Sequence, residues 1–600
     1  MKRLYVVLFC IILVNSFVCG QSTLPILERK ISITATNEKI TSLLNRIGQA
    51  GEFSFSYNSA IISADQTVTL DITDKYVREV LNEIFHGTMN YKEKSNYLII
   101  TKAPTPVAKN NIVVILVNGY VEDSETGEKI AQASVYEKKS VASTVTDEYG
   151  YFKLKLEKKT DSIVLSVSKK NYRDTLVNLT TSDNQYLKIV IHPVEDSVSI
   201  AGQVEAVDST ASEEDSFMLP YEDEPNVQNI HDTLYQLVQV SILPFIGTNQ
   251  RLSGNVINDY SLNLFGGYSL GTRQIELGFF FNVDRGDVSW LQLAGFGNLV
   301  GRNVYGIQAA GFANVNGGET KAIQLAGFAN TNLGESRGVQ VAGFTNTNLK
   351  GMNGVQVAGL SNVTVGESKG VQVSGLGNIQ VGDYRGSQFA GLTNIATRKI
   401  SGSQIAALFN HGRQVRGTQI GLINYADTLG GIPVGLLSIV KTGYHKIELS
   451  ADEIFYTNLA FRSGARKFYT MLHAGFKPDK SLNPGDSSVW TFGYGLGTAR
   501  KISKKIFLNI DASSQHVNKG SFTNALSLLN KIHVGFDFQL TKGFSLYTGA
   551  TLNGYLTNNE YTEYPTLFSD FKPNVFYDET VGTNNNLKMW VGGKVALRFL

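Results

Sequence analysis

Along residues 29–103 the apolar positions change period in a repeating order. Ile31 and Ile33 alternate with polar neighbours as on a strand, Ile40, Leu43, Leu44 and Ile47 mark one face of a helix over 39–47, and 53–57 returns to alternation. The order then recurs, with a strand over 68–72, a helix carrying Val77, Val80, Leu81 and Ile84 on one face, and a strand over 97–100. This pattern predicts a small α/β domain within 21–104. From Ile112 to about Pro193 only strand patterns remain, at 113–117, 132–136, 151–156, 162–167 and 187–191. Turn-forming residues at 125–127, 147–150 and 169–172 separate them, which predicts a β-sandwich over 110–194.

A fixed period of 16 residues begins near Trp290. Glutamine recurs at Gln292, Gln308, Gln324, Gln340, Gln356, Gln372, Gln388 and Gln404. Asparagine follows each by six, at Asn298, Asn314, Asn330, Asn346, Asn362, Asn378, Asn394 and Asn410, and a shortened ninth copy holds Gln419 and Asn424. Such a register marks a repeat architecture over 290–430. Stacked amides carry both donors and an acceptor, so the rows are expected to form structural side-chain ladders; a surface polymer bound along them is the alternative.

Two folds compete for the repeat. One membrane strand and one turn per unit would give antiparallel barrel strands, but strict alternation would put Phe344 on the Gln340 and Asn346 face. A break at Gly343 relieves this, with Val339, Val341 and Phe344 all pointing inward. The expectation is a parallel β-solenoid of nine coils, stacked about 4.8 Å apart and about 40 Å long. Residues 230–289 are then strands leading into it. Over 431–600 longer period-two runs follow. Ile532, Val534, Phe536, Phe538 and Leu540 alternate with polar residues, and Met589 through Phe599 does so against Lys594 and Arg598. These predict amphipathic antiparallel strands of a barrel or partial barrel of outer-membrane type. The fold class is therefore mainly β and multidomain.

Three segments resemble known families. The pairing of FSFSYNS with VTLDITDKYVREVLNEIFHGTMNYKEKSNYLII resembles the secretin and TonB short N-terminal (STN) domain, which implies a periplasmic module that binds partner proteins. The stretch VNGYVEDSETGEKIAQASVYEKKSVASTVTDEYGYFKLKL is similar to the carboxypeptidase regulatory-like domain, which is non-catalytic where it precedes outer-membrane receptors. The unit VQVAGFTNTNLKGMNG resembles bacterial surface repeats with a Gly-x-Gln-x-Ala-Gly-x-x-Asn register, found in outer-membrane proteins.

Charge and composition narrow the function. Lys2, Arg3, an apolar run over 4–13 and Val18-Cys19-Gly20 before Gln21 read as a cleaved secretory signal peptide, 1–20. Its removal would leave 52 basic against 52 acidic side chains and no cysteine, since Cys10 and Cys19 both lie within it. A neutral, thiol-free chain argues against nucleic acid, disulfides and thiolate metal sites. Residues 195–229 hold ten acidic and no basic side chains and read as a linker. The eight histidines are scattered, and no nucleophile elbow, phosphate loop or dinucleotide fingerprint occurs. Asp147 and Glu148 read as turn residues, and Asp452, Glu453, Asp511 and His516 as strand residues facing a lumen. No catalytic, metal or cofactor site is expected and the chain is not expected to be an enzyme. The expected protein is exported and outer-membrane associated, with residues 21–194 meeting a periplasmic or envelope protein partner. The alternatives are a transport receptor, or a surface adhesin or scaffold.

Overall fold

A computed structural model describes residues 24–63, 65–103, 113–158, 163–179, 184–194, 219–478, 488–560, 567–568 and 572–599. The expected signal peptide and most of the acidic linker lie outside the described residues. The described chain forms two compact units, divided near residue 256.

In the first unit, strands Lys30–Lys39 and Thr67–Tyr76 pair antiparallel, and strands Ser54–Tyr57, Tyr97–Lys102 and Met89–Lys94 form a second sheet. Helices Ile40–Gly51 and Val77–Phe85 bury the apolar faces read from the sequence, with Ile40, Leu43, Leu44, Ile47, Val77, Val80 and Leu81 fully enclosed. The following sandwich packs a sheet of Val113–Asp123, Tyr151–Lys158 and Gln185–Ile191 over a four-stranded sheet. Ile115, Val117, Leu154, Leu165 and Ile189 fill the space between them.

The second unit is a parallel β-solenoid of about 12 turns followed by a closed barrel of 8 strands. Each turn contributes two short strands, such as Ser336–Ala342 and Thr345–Asn348, which stack in register on Met352–Ala358 and Ser361–Val365. Parallel pairing excludes consecutive repeats as antiparallel barrel strands. The solenoid also reaches beyond the repeat seen in the sequence. Val256–Asn263 stacks on Gly271–Gly278, which stacks on Val288–Ala294, and the far end reaches Leu437–Val440. The corner between the two strands needs glycine, because a Cβ on Gly343 would lie 2.0 Å from the Gly327 carbonyl oxygen of the coil before.

The facing of the coils is the reverse of the expectation. Gln340, Asn346 and Asn348 are enclosed, whereas Val341 and Phe344 are exposed. Glycine does break the alternation, but the corner carries the Phe344 ring outward, while Gln340 and Ala342 before it and Asn346 and Asn348 after it point into the interior. An apolar inside is the arrangement that water as the surrounding solvent favours.

The barrel runs antiparallel from Tyr444–Asp452 through Asn585–Phe599, and these two strands pair to close it. Ile532, Val534 and Phe536 face outward, and His533 and Asp537 inward.

Candidate functional site: polar ladders and a charged barrel interior

Each asparagine amide of the repeat makes two donations. Asn346 Nδ2 donates to Asn362 Oδ1 of the next coil at 2.9 Å and to the Val357 carbonyl oxygen at 2.9 Å, and the same pair of bonds recurs from Asn282 to Asn410. The glutamines run the other way, as in Gln340 Nε2 donating to Gln324 Oε1 at 2.7 Å. A third row ties the two strands of a coil together, where Gln308 and Asn316 exchange reciprocal bonds of 2.9 Å. These amides are enclosed by the coils, so they offer no row of side chains to a polymer. Buried amides are tolerated because they are paired.

One position of the glutamine row escaped sequence analysis because glutamic acid occupies it. Glu276 stacks beneath Gln292 and Asn282 beneath Asn298, one period earlier. The signal was legible in the spacing of Glu276 and Asn282. Gln292 Nε2 donates to Glu276 Oε2 at 2.9 Å and to Asp284 Oδ2 at 2.8 Å, which brings two buried carboxyls together. Burial pushes the Glu276 carboxyl up, and burial with the adjacent Glu276 charge pushes Asp284 well up. A carboxyl whose folded pKa is raised gives its full stability below the unfolded pKa of about 4 and loses it as pH rises through the folded pKa. The double variant Glu276→Gln with Asp284→Asn recreates the pairing of Gln308 with Asn316. It is expected to melt higher than the parent at pH 8 and at the same temperature at pH 4, as read by thermal unfolding.

The barrel interior is a closed ion-pair network. Glu448 meets Arg462 Nε at 2.9 Å, Arg598 Nε at 2.6 Å and Lys594 Nζ at 2.6 Å. Arg462 also donates to Asp511 Oδ2 at 2.7 Å, Tyr469 donates to Asp511 Oδ1 at 2.6 Å, and Arg598 lies 3.5 Å from Asp537. Three cations thus face three carboxylates, all enclosed. Nearer the other end, Asp452 pairs with Lys531 and accepts the backbone N–H of Ile454 and Phe455. Glu453 Oε1 there accepts from Trp590 Nε1 at 3.0 Å and Asn553 Nδ2 at 2.8 Å. This folds Ile454 and Phe455 into a cluster with Val489, Leu529 and Trp590. An eight-stranded barrel is just wide enough for its side chains, and these fill it. His516 faces the opposite way from Asp511 and stacks outside on Phe522 at 5.4 Å, so the two do not come together.

In the first unit an ion-pair cluster joins the α/β domain to the sandwich. Arg78 donates to Glu28 Oε1 through Nε at 3.0 Å and Nη2 at 2.6 Å, and its guanidinium lies 3.8 Å from the centre of the Tyr151 ring. Tyr120 donates to Glu28 Oε2 at 3.2 Å, and Lys129 bridges Glu79 and Glu122. Burial pushes the Glu28 carboxyl above its ordinary value against the pull of Arg78. The two domains therefore share a polar joint. Asp147 accepts from the backbone N–H of Tyr149 and Tyr151, the work of a turn residue.

Among the described residues no group of three or more His, Cys, Asp and Glu could hold a metal ion, and no helix is long and apolar enough to cross a membrane. The molecule is thus of a composite β class, in which a sandwich-bearing N-terminal part precedes a polar-cored solenoid and a filled barrel. Residues 117–204 match the CarboxypepD_reg-like domain family, part of the match lying outside the described residues. No curated protein matches the chain.

Proposed function

We propose that the chain is a non-enzymatic protein anchored in an outer membrane by its C-terminal barrel, with residues 21–194 held in the periplasm to dock a protein partner. The carrying observation is the inversion of the barrel, whose outward positions are largely apolar and whose inward positions are largely polar or charged, with one apolar cluster around Trp590. A barrel in water would bury the first and expose the second; lipid reverses the preference. The asymmetry of its links supports the same reading. Strands are joined by links of two to four residues at 466–467, 502–505 and 540–543 on the end where the last strand finishes, as periplasmic turns are, whereas the links of the opposite end run from four residues at 453–456 to twenty-six at 559–584.

The STN resemblance and the CarboxypepD_reg-like match favour a docking role for the N-terminal pair, and the joint through Arg78 would present them as one body. The inward Glu448, Asp511 and Asp537 carboxylates are engaged with Arg462, Lys594 and Arg598, which argues against their use as catalytic acids or bases. A transport receptor is the weaker reading because the barrel interior is occupied by its own side chains. Alkaline extraction of membranes from cells expressing the full chain tests the anchor. The protein is expected to stay with the sedimented membranes; release into the soluble fraction would overturn the reading.

A further inference from the structure

The solenoid is as inverted as the barrel. Its interior is built on amide rows, with small apolar clusters at Val288, Val300 and Val304 and at Tyr384, Ile400 and Val415, and its outward rows are Val, Ile, Leu and Phe. The ridge at the glycine corner passes through Phe312, Phe328 and Phe344 and continues as leucine to Leu436. These rings stack at 4.7–4.8 Å with nearly parallel planes and remain about 40% exposed, between 39% for Phe328 and 42% for Phe344. Monomers in water rarely keep so long a continuous apolar surface.

Charge is excluded from the same surface. In seven successive units, 290–301, 306–317, 322–333, 338–349, 354–365, 370–381 and 386–397, there is no Asp, Glu, Lys or Arg. Every charge between 302 and 399 falls in the four remaining positions, at the edge opposite the ridge. That edge carries eight basic and four acidic side chains and a polar groove of about 600 Å³ lined by residues such as Arg337, Lys369 and Arg385. An excess of cations suits phosphate headgroups.

The barrel fixes the level of the ridge. Tyr494, midway along strand Ser488–Lys501 and on the same outward face as Phe492 and Leu496, donates to the Gly435 carbonyl oxygen at 2.6 Å, beside the ridge residue Leu436. Ser438, one step toward the charged edge, is met by Ser463 Oγ near the end of strand Thr457–Ala465 that carries the short links. The ridge thus meets the barrel at mid-height and the charged edge lies toward its short-link end. From that edge to the ridge is six or seven strand residues, roughly 20 Å, enough to cross one leaflet of a hydrocarbon core about 30 Å thick.

We propose that the solenoid is a wedge in the periplasmic leaflet of the membrane that the barrel spans, with its Phe and Leu ridge among the acyl chains and its charged edge at the phosphates. This rests on the barrel reading above. The interior ladders make it feasible, because hydrocarbon admits backbone and amide groups only when each is paired internally. The stacked coils pair their backbone and most of their ladder amides along the length of the solenoid, as a closed barrel does around its circumference, with a few atoms such as Gln380 Oε1 and Gln419 Oε1 left over.

The test is site-directed spin labelling of the full chain, with Cys10 and Cys19 replaced by Ser, in phosphatidylethanolamine and phosphatidylglycerol vesicles. Labels at Phe328→Cys, Glu335→Cys and Val534→Cys are read by relaxation from oxygen, which concentrates in the bilayer, and from a water-soluble nickel chelate. The wedge predicts oxygen-dominated relaxation at 328 and 534 and nickel-dominated relaxation at 335. Oxygen at 534 with nickel at 328 would overturn the wedge and keep the barrel. Low access of both reagents at 328 would mean that a second copy or another protein covers the ridge, and would also overturn it. Nickel-dominated relaxation at 534 would instead overturn the barrel reading itself.

Discussion

Arg462→Ala is expected to destabilise the folded barrel by about 3–5 kcal/mol, the usual cost of breaking a buried ion pair by removing one partner. Arg462 stands between Glu448 and Asp511, and all three are enclosed. Its loss leaves two cations for three carboxylates inside a water-poor lumen. Removing charge in pairs should restore most of the loss. Arg462→Met combined with Asp511→Asn returns the network to two cations and two carboxylates, while Glu448 keeps Lys594 and Arg598. Urea titration of the protein in detergent, followed by tryptophan fluorescence, measures both variants. A single variant as stable as the parent, or a double variant no better than the single, would show that the network is solvated.

Asn346→Ala is expected to cost about 3–9 kcal/mol in the same titration. The Asn346 amide accepts from Asn330 at 2.9 Å and donates to Asn362 and to the Val357 carbonyl. Alanine fills little of the space and leaves a donor on one side and two acceptors on the other without partners, at about 1–3 kcal/mol for each buried group. Phe344→Ser, two residues away, is expected to cost under about 1.5 kcal/mol, because the ring is exposed and loses mainly its stacking. Equal losses at the two positions would contradict the assignment of inside and outside. A core of side-chain ladders makes the amide, not the ring, the residue that folding depends on.

The sequence revealed the period of the solenoid more readily than its polarity. Sixteen-residue spacing of Gln and Asn is a property of the chain alone, and parallel stacking follows once the glycine corner breaks a continuous strand. Which face lies inside depends on the solvent, and an inward Val341 and Phe344 is the arrangement for water. The absence of charge from twelve of every sixteen positions was also in the sequence and points to the apolar face as the outward one. The coil of Glu276 and Asn282 was hidden by one amide-to-acid change, and the coil before it by Ser261 and Gly267 in the Gln and Asn positions and by a shift in register. In the barrel, alternation along each strand placed Lys594 and Arg598 opposite the apolar face. It could not bring Arg598 to Glu448, 150 residues away, because that contact exists only when the first and last strands close the ring.

An outer-membrane barrel with a periplasmic N-terminal part requires its two ends to face different compartments. Impermeant thiol labelling of intact cells tests this with the full chain carrying Ser521→Cys, in the link between strands Ile506–Lys519 and Ser527–Gln539, or Glu335→Cys, on the charged edge of the solenoid. The cysteine at 521 is expected to be labelled on intact cells, and the one at 335 only after the outer membrane is opened. Labelling of both, or of neither, on intact cells would contradict this arrangement.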